Sequence, residues 1–477
     1  MKFIKILALA LVFSHLAANA QQVEKWSLEE CVNHALSNNL TVKRSELSMR
    51  NDEVTLLQNK LSRLPNLNAG LSNSWRWGRS IDPTTNLFTT QRVNSNGANA
   101  STQMLIYNGS QLSRTIKQNQ SDLEASMYDL KKSQNDVSLD VVLGYLQIIF
   151  TRELLENSRF QLNTTNTQLD QTQKLVDAGS LPITNLLDLQ SQLASNEVEV
   201  INAENDVALA ILRLKQFLQI PAEEEFDIET PEFDQDEYGF VAYSVGEVFN
   251  QAEAIQPEIK SAELRIQSAE IGVKVAKGGR IPQLAISGNF FTNYSDQNRR
   301  FLGREIVPEE YSPIGYVLSD PSLIVVTPGT TSSFEDISIP TQWADNRSWA
   351  AGFNINIPIF NGWQTNSNVQ RSKITKDLAE ISATETRNVL RQTIETAYND
   401  AQAAIKVFDA AKKQVAALEE SFRATETSYN LGALNFVDYQ ISSFNLFSAR
   451  SNLVRSKFDY IFKLKVLDFY LGNPLTL

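Results

Sequence analysis

The 477-residue sequence predicts an α+β membrane protein built from one unit repeated twice, with two membrane-crossing β-strands and long coiled-coil helices in each copy. Three observations carry that expectation. Short segments recur: Ser62-Arg63-Leu64-Pro65 returns as Gly279-Arg280-Ile281-Pro282 at an offset of 217. Tyr107-Asn108-Gly109 returns as Phe360-Asn361-Gly362, and Leu218-Gln219-Ile220-Pro221 as Leu471-Gly472-Asn473-Pro474, both at 253. The offsets differ by 36, so the second copy carries about that many extra residues between Arg280 and Phe360. Apolar residues also recur every seven positions in the same phase in both copies, and four segments between the heptad regions alternate apolar and polar residues.

Residues 1–20 read as a signal peptide. Lys2 and Lys5 form its basic start, Ile6 to Phe13 its apolar stretch, and Ala18-Asn19-Ala20 its cleavage site. Without them, 41 Lys and Arg face 55 Asp and Glu, a formal charge of −14, and the basic footprint of a nucleic-acid binder is missing. Cys31 is the only cysteine, which excludes an internal disulfide framework. The longest apolar run, Val141 to Phe150, is too short for a membrane helix and is interrupted by Gly144 and Gln147. An exported chain of this kind is either soluble or crosses a membrane as a closed β-barrel.

The first repeat, 21–221, begins with a helix predicted over 27–61, where Leu28, Ala35, Val42, Met49 and Leu56 fall seven apart. The second, 244–477, begins with one over 245–278, where Val245, Ala252, Ile259, Ile266 and Val273 hold the same slots. A strict heptad period means helices packed side by side as coiled coils. No proline falls between Gly109 and Gly179 or between Gly362 and Gly432, so 110–178 and 363–431 are each predicted as one helix, roughly 100 Å long. Leu155, Leu162, Leu169 and Val176 recur there as Phe408, Val415, Phe422 and Tyr429. Half-length helices over 183–218 and 436–471 follow, carrying Leu193, Val200, Val207 and Leu214 and their counterparts Leu446, Leu453, Tyr460 and Leu467.

Strands are predicted over 64–77, 92–107, 281–294 and 346–360. Leu67, Ala69 and Leu71 alternate with Asn66, Asn68 and Ser72; Phe353, Ile355 and Ile357 alternate with Asn354 and Asn356. The polar sides are rich in Asn, Ser and Gln, the pattern of a transmembrane barrel with a watery lumen. A half-exposed soluble sheet shows the same alternation. Trp75, Trp77, Phe290, Phe291, Tyr294 and Trp349 near one end of the strands, and Tyr107 and Phe360 at the other, are candidate membrane girdles. Pro65, Pro282 and Pro358 lie at or near strand ends, where a missing N–H costs least. Four strands cannot close a barrel, and lipid does not tolerate open edges, so copies of the chain must pool their strands. Two copies give eight strands with a filled interior; three give twelve with room for water, which the polar faces favour. The segment 295–344, with five prolines, holds the 36-residue excess and is expected as an extracellular loop.

This arrangement of helix, strand pair, long helix, glycine turn and half helix, twice over after a signal peptide, resembles the TolC family of outer membrane efflux proteins across nearly all of the mature chain. The Arg-Leu-Pro and Arg-Ile-Pro strand starts, the Tyr-Asn-Gly and Phe-Asn-Gly strand exits and the turns at Gly179 and Gly432 are its most specific parts. The resemblance implies a homotrimer with a twelve-stranded barrel in the outer membrane of a Gram-negative bacterium, continued by an antiparallel coiled-coil tunnel in the periplasm. It implies an exit duct for a tripartite efflux or type I secretion system, passive and driven by an inner-membrane pump through a periplasmic adaptor. It also implies that the acidic linker 222–243 packs around the tunnel's equator; as a charge run alone, that linker reads as solvated.

The same resemblance places adaptor contacts at the two hairpin tips, Gly179, Ser180 and Leu181 and Gly432, Ala433 and Leu434. Tyr429 matches a constricting tyrosine three residues before the second glycine. Acids six and nine positions after a tip glycine would form rings in a trimer: here Asp438 stands at six in the second copy, and Asn185 and Asp188 at six and nine in the first. The family's basic partner two after the second glycine is replaced by Leu434, so the closing network must differ. Asp438 also reads as an ordinary first-turn acid favoured by the helix dipole. His34 is the only histidine after residue 20, and no nucleophile, phosphate loop or metal-ligand cluster appears, so an enzyme, a cofactor and a metal site are not expected. The competing expectation is a periplasmic coiled-coil adaptor or scaffold without a membrane barrel. No residue singles out a cargo.

Overall fold

The computed structural model describes residues 25–81, 86–90, 92–230 and 243–473. The signal segment 1–20 and the linker residues 231–242 lie outside them. The chain forms two compact units, one of 1–54, 119–269 and 375–477, the other of 55–118 and 270–374.

The first unit is helical. Strand β1 (Lys25–Trp26) leads into α1 (Leu28–Asn38) and α2 (Leu40–Leu61), of which the unit holds the part up to Val54. Most of the long α3 (Gln111–Asp177) and all of α4 (Ile183–Leu218) follow. The second copy repeats them as α5 (Val245–Ile255), α6 (Pro257–Gly278), α8 (Gln364–Asn430) and α9 (Phe436–Leu471). The repeat extends into the core. Cys31, Ala35, Val42, Val137, Val141, Leu214 and Leu218 pack in one cluster. Their counterparts at the same two offsets, Val248, Ala252, Ile259, Leu390, Ile394, Leu467 and Leu471, pack in a second. The buried Cys31 thiol is pushed up to about 12 by loss of solvent, with Glu30 adding to the shift. Both copies start their first helix with a capping box, Ser27 with Glu30 and Ser244 with Glu247, which satisfies exposed helix N–H groups and lowers both carboxyls.

One expectation fails here in both copies. The periodicity predicts unbroken helices over 27–61 and 245–278, yet each breaks, at Asn39 and at Gln256, both in extended conformation. Pro257 explains the second break, because the residue before a proline is pushed out of helical geometry. The side chains at both breaks are used in the same way: Asn39 Nδ2 donates to the Phe217 carbonyl at 3.2 Å and Gln256 Nε2 to the Phe469 carbonyl at 3.4 Å. Each amide bonds a carbonyl in the last turn of a half-length helix, where the intrahelical partners run out; the Phe469 carbonyl also accepts from the Gly472 N–H. A heptad pattern survives such a break because the chain resumes in phase.

The start of the acidic linker is folded, in contrast to the solvated reading. Strand β6 (Asp227–Ile228) pairs in parallel with β1. Buried Lys215 donates to the carbonyls of Ala222 and Glu224, Tyr145 to that of Glu229, and Arg152 ion-pairs with Asp227.

The second unit is built on a four-stranded, wholly antiparallel sheet. Its strands are β2 (Asn66–Arg76), β5 (Val93–Asn108), β7 (Gln283–Ser295) and β10 (Ser348–Asn356), in the order β2-β5-β7-β10. Strand β10 stops four residues short of the predicted end; Pro358, which lacks an N–H, follows shortly after. The register puts the apolar positions of all four strands on one face: Ala69, Ala100, Phe290 and Trp349 form one cross-strand row, and Met104, Ile286 and Phe353 another. The other face carries Asn68, Ser101 and Asn289. The four connections to α2, α3, α6 and α8 leave from one end of the sheet.

At the opposite end lie the two loops, and both hold more structure than expected. The shorter contains the small hairpin β3 (Ser80–Ile81) and β4 (Phe88–Thr89). The longer is a hairpin of β8 (Arg299–Val317) and β9 (Asp320–Asp336), followed by the short helix α7 (Ile339–Asp345). Its prolines and bulges hide the alternation from a reading of the sequence: the register slips at four places, one of them skipping Pro308-Glu309-Glu310.

Candidate functional site

The helix tips of the first unit are two copies of one device. Gly179 and Gly432 take left-handed conformations, φ +71° and +73°. The Gly179 N–H donates to the Val176 carbonyl and that of Ser180 to Leu175; Gly432 and Ala433 repeat this with Tyr429 and Ser428. This Schellman arrangement satisfies the last carbonyls of each long helix and turns the chain into the half-length helix. Both tips are exposed, with Leu431 the most exposed apolar side chain there at 79 %.

The second tip carries an aromatic cluster. The Tyr429 ring stacks on Tyr439 with centroids 4.8 Å apart and lies 6.2 Å from Phe436, and Phe422 meets Tyr439 at 5.5 Å. Gln168, on α3, donates to the Tyr439 hydroxyl and so ties the second hairpin to the first. Burial raises the Tyr439 phenol above its usual range. Of this group the sequence reading singled out only Tyr429 as a gate residue. The missed signal was that the heptad step from Phe422 to Tyr429 continues across the glycine turn to Phe436.

Asp438 sits in the first turn of α9, exposed. Its N–H donates to the side chain of the N-cap Asn435 at 2.9 Å, and its carboxylate accepts from Asn435 Nδ2 at 2.8 Å. Within one chain it therefore completes a helix cap. Asp188 is also exposed, and Asn185 is half-buried in the first turn of α4, its N–H bonded to the Pro182 carbonyl. His34 packs edge-on against Trp26 with centroids 5.0 Å apart. Among the described residues no cluster could hold a metal ion, and no helix is long and apolar enough to cross a membrane.

In the second unit, Phe290 and Trp349 face each other with centroids 4.6 Å apart. Tyr294 pairs with Asn96, which pairs with Asn73. Trp75 stands near the end of β2, six positions beyond the row of Trp349. Trp77 follows β2 and is 75 % exposed. The five aromatics therefore do not share one row across the strands.

A family model described as outer membrane efflux protein matches residues 31–218 and 248–473. Outer membrane protein TolC of Escherichia coli strain K12 is 21 % identical over 387 residues, covering 80 % of this chain and 70 % of its own. The CmeC outer membrane channel of Campylobacter jejuni superposes with a TM-score of 0.72 at 17 % identity, covering 93 % of this chain and 85 % of its own. The open state of the MtrE outer membrane channel of Neisseria gonorrhoeae gives 0.69 at 16 %, covering 94 % and 89 %. At such identities the two structures show a shared fold.

Proposed function

Because the chain belongs to the outer membrane efflux protein family, we propose that it is the exit duct of a tripartite efflux or type I secretion system, a homotrimer with a twelve-stranded barrel. It is an outer membrane protein with a large periplasmic part. The duct itself is passive: an inner-membrane pump supplies the energy and a periplasmic adaptor joins the two, docking at the exposed tips around Gly179, Ser180, Leu181, Gly432, Ala433 and Leu434. The family assignment leaves the adaptor reading without support.

The observation that carries the proposal is the pair of free edges. Among the described residues, strands β2 and β10 each have one neighbour in a sheet with one apolar face. In lipid those edges must be paired. They run in opposite directions, so β10 of one copy can continue the antiparallel order with β2 of the next. The repeat supplies the register. Through the offsets 217 and 253, the pairing Asn66 with Gln103 maps onto Gln283 with Asn356, which is the pairing that β7 and β10 make. The same mapping applied to β5 and β7, where Asn96 pairs with Tyr294 and Ser101 with Asn289, sets Trp349 opposite Trp77 and Asn354 opposite Ser72 of the next copy.

The strands are also staggered. Ser348, at the start of β10, lies in the row of Gly70, six residues short of Arg76 at the end of β2. That is about 20 Å along the strands over three inter-strand steps of about 4.8 Å. A closed barrel needs such a shear, because its strands tilt. Tilting brings Trp75, Trp77, Phe290, Tyr294 and Trp349 toward one membrane level, as a girdle.

At the periplasmic end, the Tyr429 cluster narrows the entrance, and three copies of Asp438, with Asp188 and Asn185 nearby, form an electronegative ring that prefers cations. Purified protein should behave as a heat-dissociable trimer with discrete openings in planar bilayers, and Asp438→Asn should lower cation over anion selectivity at least two-fold. Unchanged selectivity would remove Asp438 from the ring; a water-soluble monomer without conductance would overturn the duct.

A further inference from the structure

Contacts in the first unit run from α2 to α3, from α3 to α6 and from α6 to α8. Ser126 of α3 donates to Asp52 of α2. Asp129 of α3 accepts from Ser261 of α6 at 2.6 Å and ion-pairs with Arg265 at 2.5 Å. Ile259 of α6 shares a core cluster with Leu390 and Ile394 of α8. The helices α2 and α8 thus end the series, just as β2 and β10 end the sheet.

The repeat makes the first and third joints equivalent. The offsets 217 and 253 turn Val42 with Val137 and Val141 into Ile259 with Leu390 and Ile394. The middle joint has no such counterpart inside one chain: the same offsets turn α3 against α6 into α8 against α2. The residues concerned are buried in the middle joint and bare at the two ends. Leu264 is 8 % exposed and its counterpart Leu47 is 64 % exposed; Ala125 is 1 % exposed and its counterpart Leu378 is 59 %. Leu40, Leu47 and Val54, seven apart on α2, are all exposed, as are Leu378, Ile381 and Val389 on α8. Apolar heptad stripes of this kind are built to meet another helix, and apolar surface left open in rows marks an interface.

We propose that α2 of one copy packs antiparallel against α8 of the next, in the register of the α3–α6 joint. The inference rests on the edge-to-edge assembly above, and deepens it: α2 leads into β2 and α8 follows β10, so the helices that meet belong to the strands that meet. The joint supplies the register. Asp129 with Ser261 becomes Ser382 with Arg44; four residues along each helix, Leu378 faces Ser48, with Leu47 beside them. Three residues along in the other direction, Glu385 faces Thr41, one turn from Arg44. Among the described residues neither Arg44 nor Glu385 has an ion pair within its own chain, so the two complement each other across the seam. The seam between copies is more apolar than the joint it copies, since leucines stand where the joint has Ala125 and where Leu264 is already buried. Each copy offers α2 at one end and α8 at the other, a head-to-tail contact that closes into a ring.

The test is a cysteine pair, Arg44→Cys with Ser382→Cys, in full-length protein in outer membranes with Cys31→Ala. Both positions are exposed in the single chain, so neither change disturbs its core. Mild oxidation should give covalent dimers and trimers on denaturing gels, at least ten-fold more than Arg44→Cys with Thr375→Cys, which is displaced by seven residues or about 10 Å. Ser48→Cys with Leu378→Cys, in the neighbouring layer, should cross-link like the first pair. Monomers from both in-register pairs, or equal cross-linking in the displaced pair, would overturn the seam. A cysteine pair at Asn354 and Ser72 runs alongside. If it cross-links between copies while the helix pairs do not, only the seam falls; if none does, the assembly falls with it.

Discussion

Gly109→Ala should lower the stability and the folded yield of the protein markedly, whereas Gly432→Ala should reduce stability only slightly. Both glycines have left-handed backbones, φ +67° and +73°, which cost an L-residue about 1–2 kcal/mol. They differ in their surroundings. A Cβ at Gly109 would lie 2.4 Å from the Gly278 carbonyl oxygen and 2.9 Å from Ile281 Cβ; at Gly432 nothing lies within 4 Å. The turn out of β5 is pressed against the end of α6, and the contact is mutual, since a Cβ on Gly278 would lie 2.8 Å from the Gly109 carbonyl oxygen. Backbone cannot swing aside as a side chain can, and overpacking adds about 1–3 kcal/mol. A total loss of about 2–5 kcal/mol compares with the 5–15 kcal/mol that holds a typical domain together. Heat-modifiable mobility of membrane-extracted protein reads the difference. Equal yield and equal melting of the two variants would refute the close contact.

Phe458→Ala should cost about 3–5 kcal/mol, the usual penalty for emptying a buried phenylalanine site. Phe458 is fully buried, with its ring centroid 5.5 Å from that of Phe150. It lies on α9, yet with Ile461 it enters the cluster built by Cys31, Val141, Leu214 and other residues of the first repeat. Its counterpart at offset 253 is Asn205, so this tie is not duplicated. The loss should appear as a lower denaturant midpoint for the helical signal, with the sheet's tryptophan fluorescence changing later. A midpoint within experimental error of the parent would show that the two repeats hold together without it.

Most of the architecture was legible because duplication writes each feature twice. The long helices, the four main strands and the glycine turns followed from spacing alone, and the offsets even reproduce the pairing of β2 with β5 in β7 with β10. What stayed hidden has local causes. The breaks at Asn39 and Gln256 keep the heptad phase on both sides, and periodicity does not register a single extended residue. The β8–β9 hairpin was masked by its prolines and by bulges that interrupt alternation. At the tips, the glycine turns stood out, but the partnership of Gln168 with Tyr439 joins residues 271 positions apart and leaves no spacing to find. Asp438 was expected as a ring residue, and its cap with Asn435 supplies a structural duty that a sequence reading weighs equally.

The central claim is that copies of the chain close a barrel by pairing β10 of one with β2 of the next. A disulfide between cysteines introduced at Asn354 and Ser72, with Cys31 replaced by alanine, tests it most directly. Directly opposed strand residues lie within the range a disulfide can bridge, and a pair displaced by four residues does not. Mild oxidation should convert the Asn354→Cys, Ser72→Cys protein into covalent dimers and trimers, while Asn354→Cys with Asn68→Cys stays monomeric on denaturing gels. Monomers from both proteins, or equal cross-linking in both, would contradict the account.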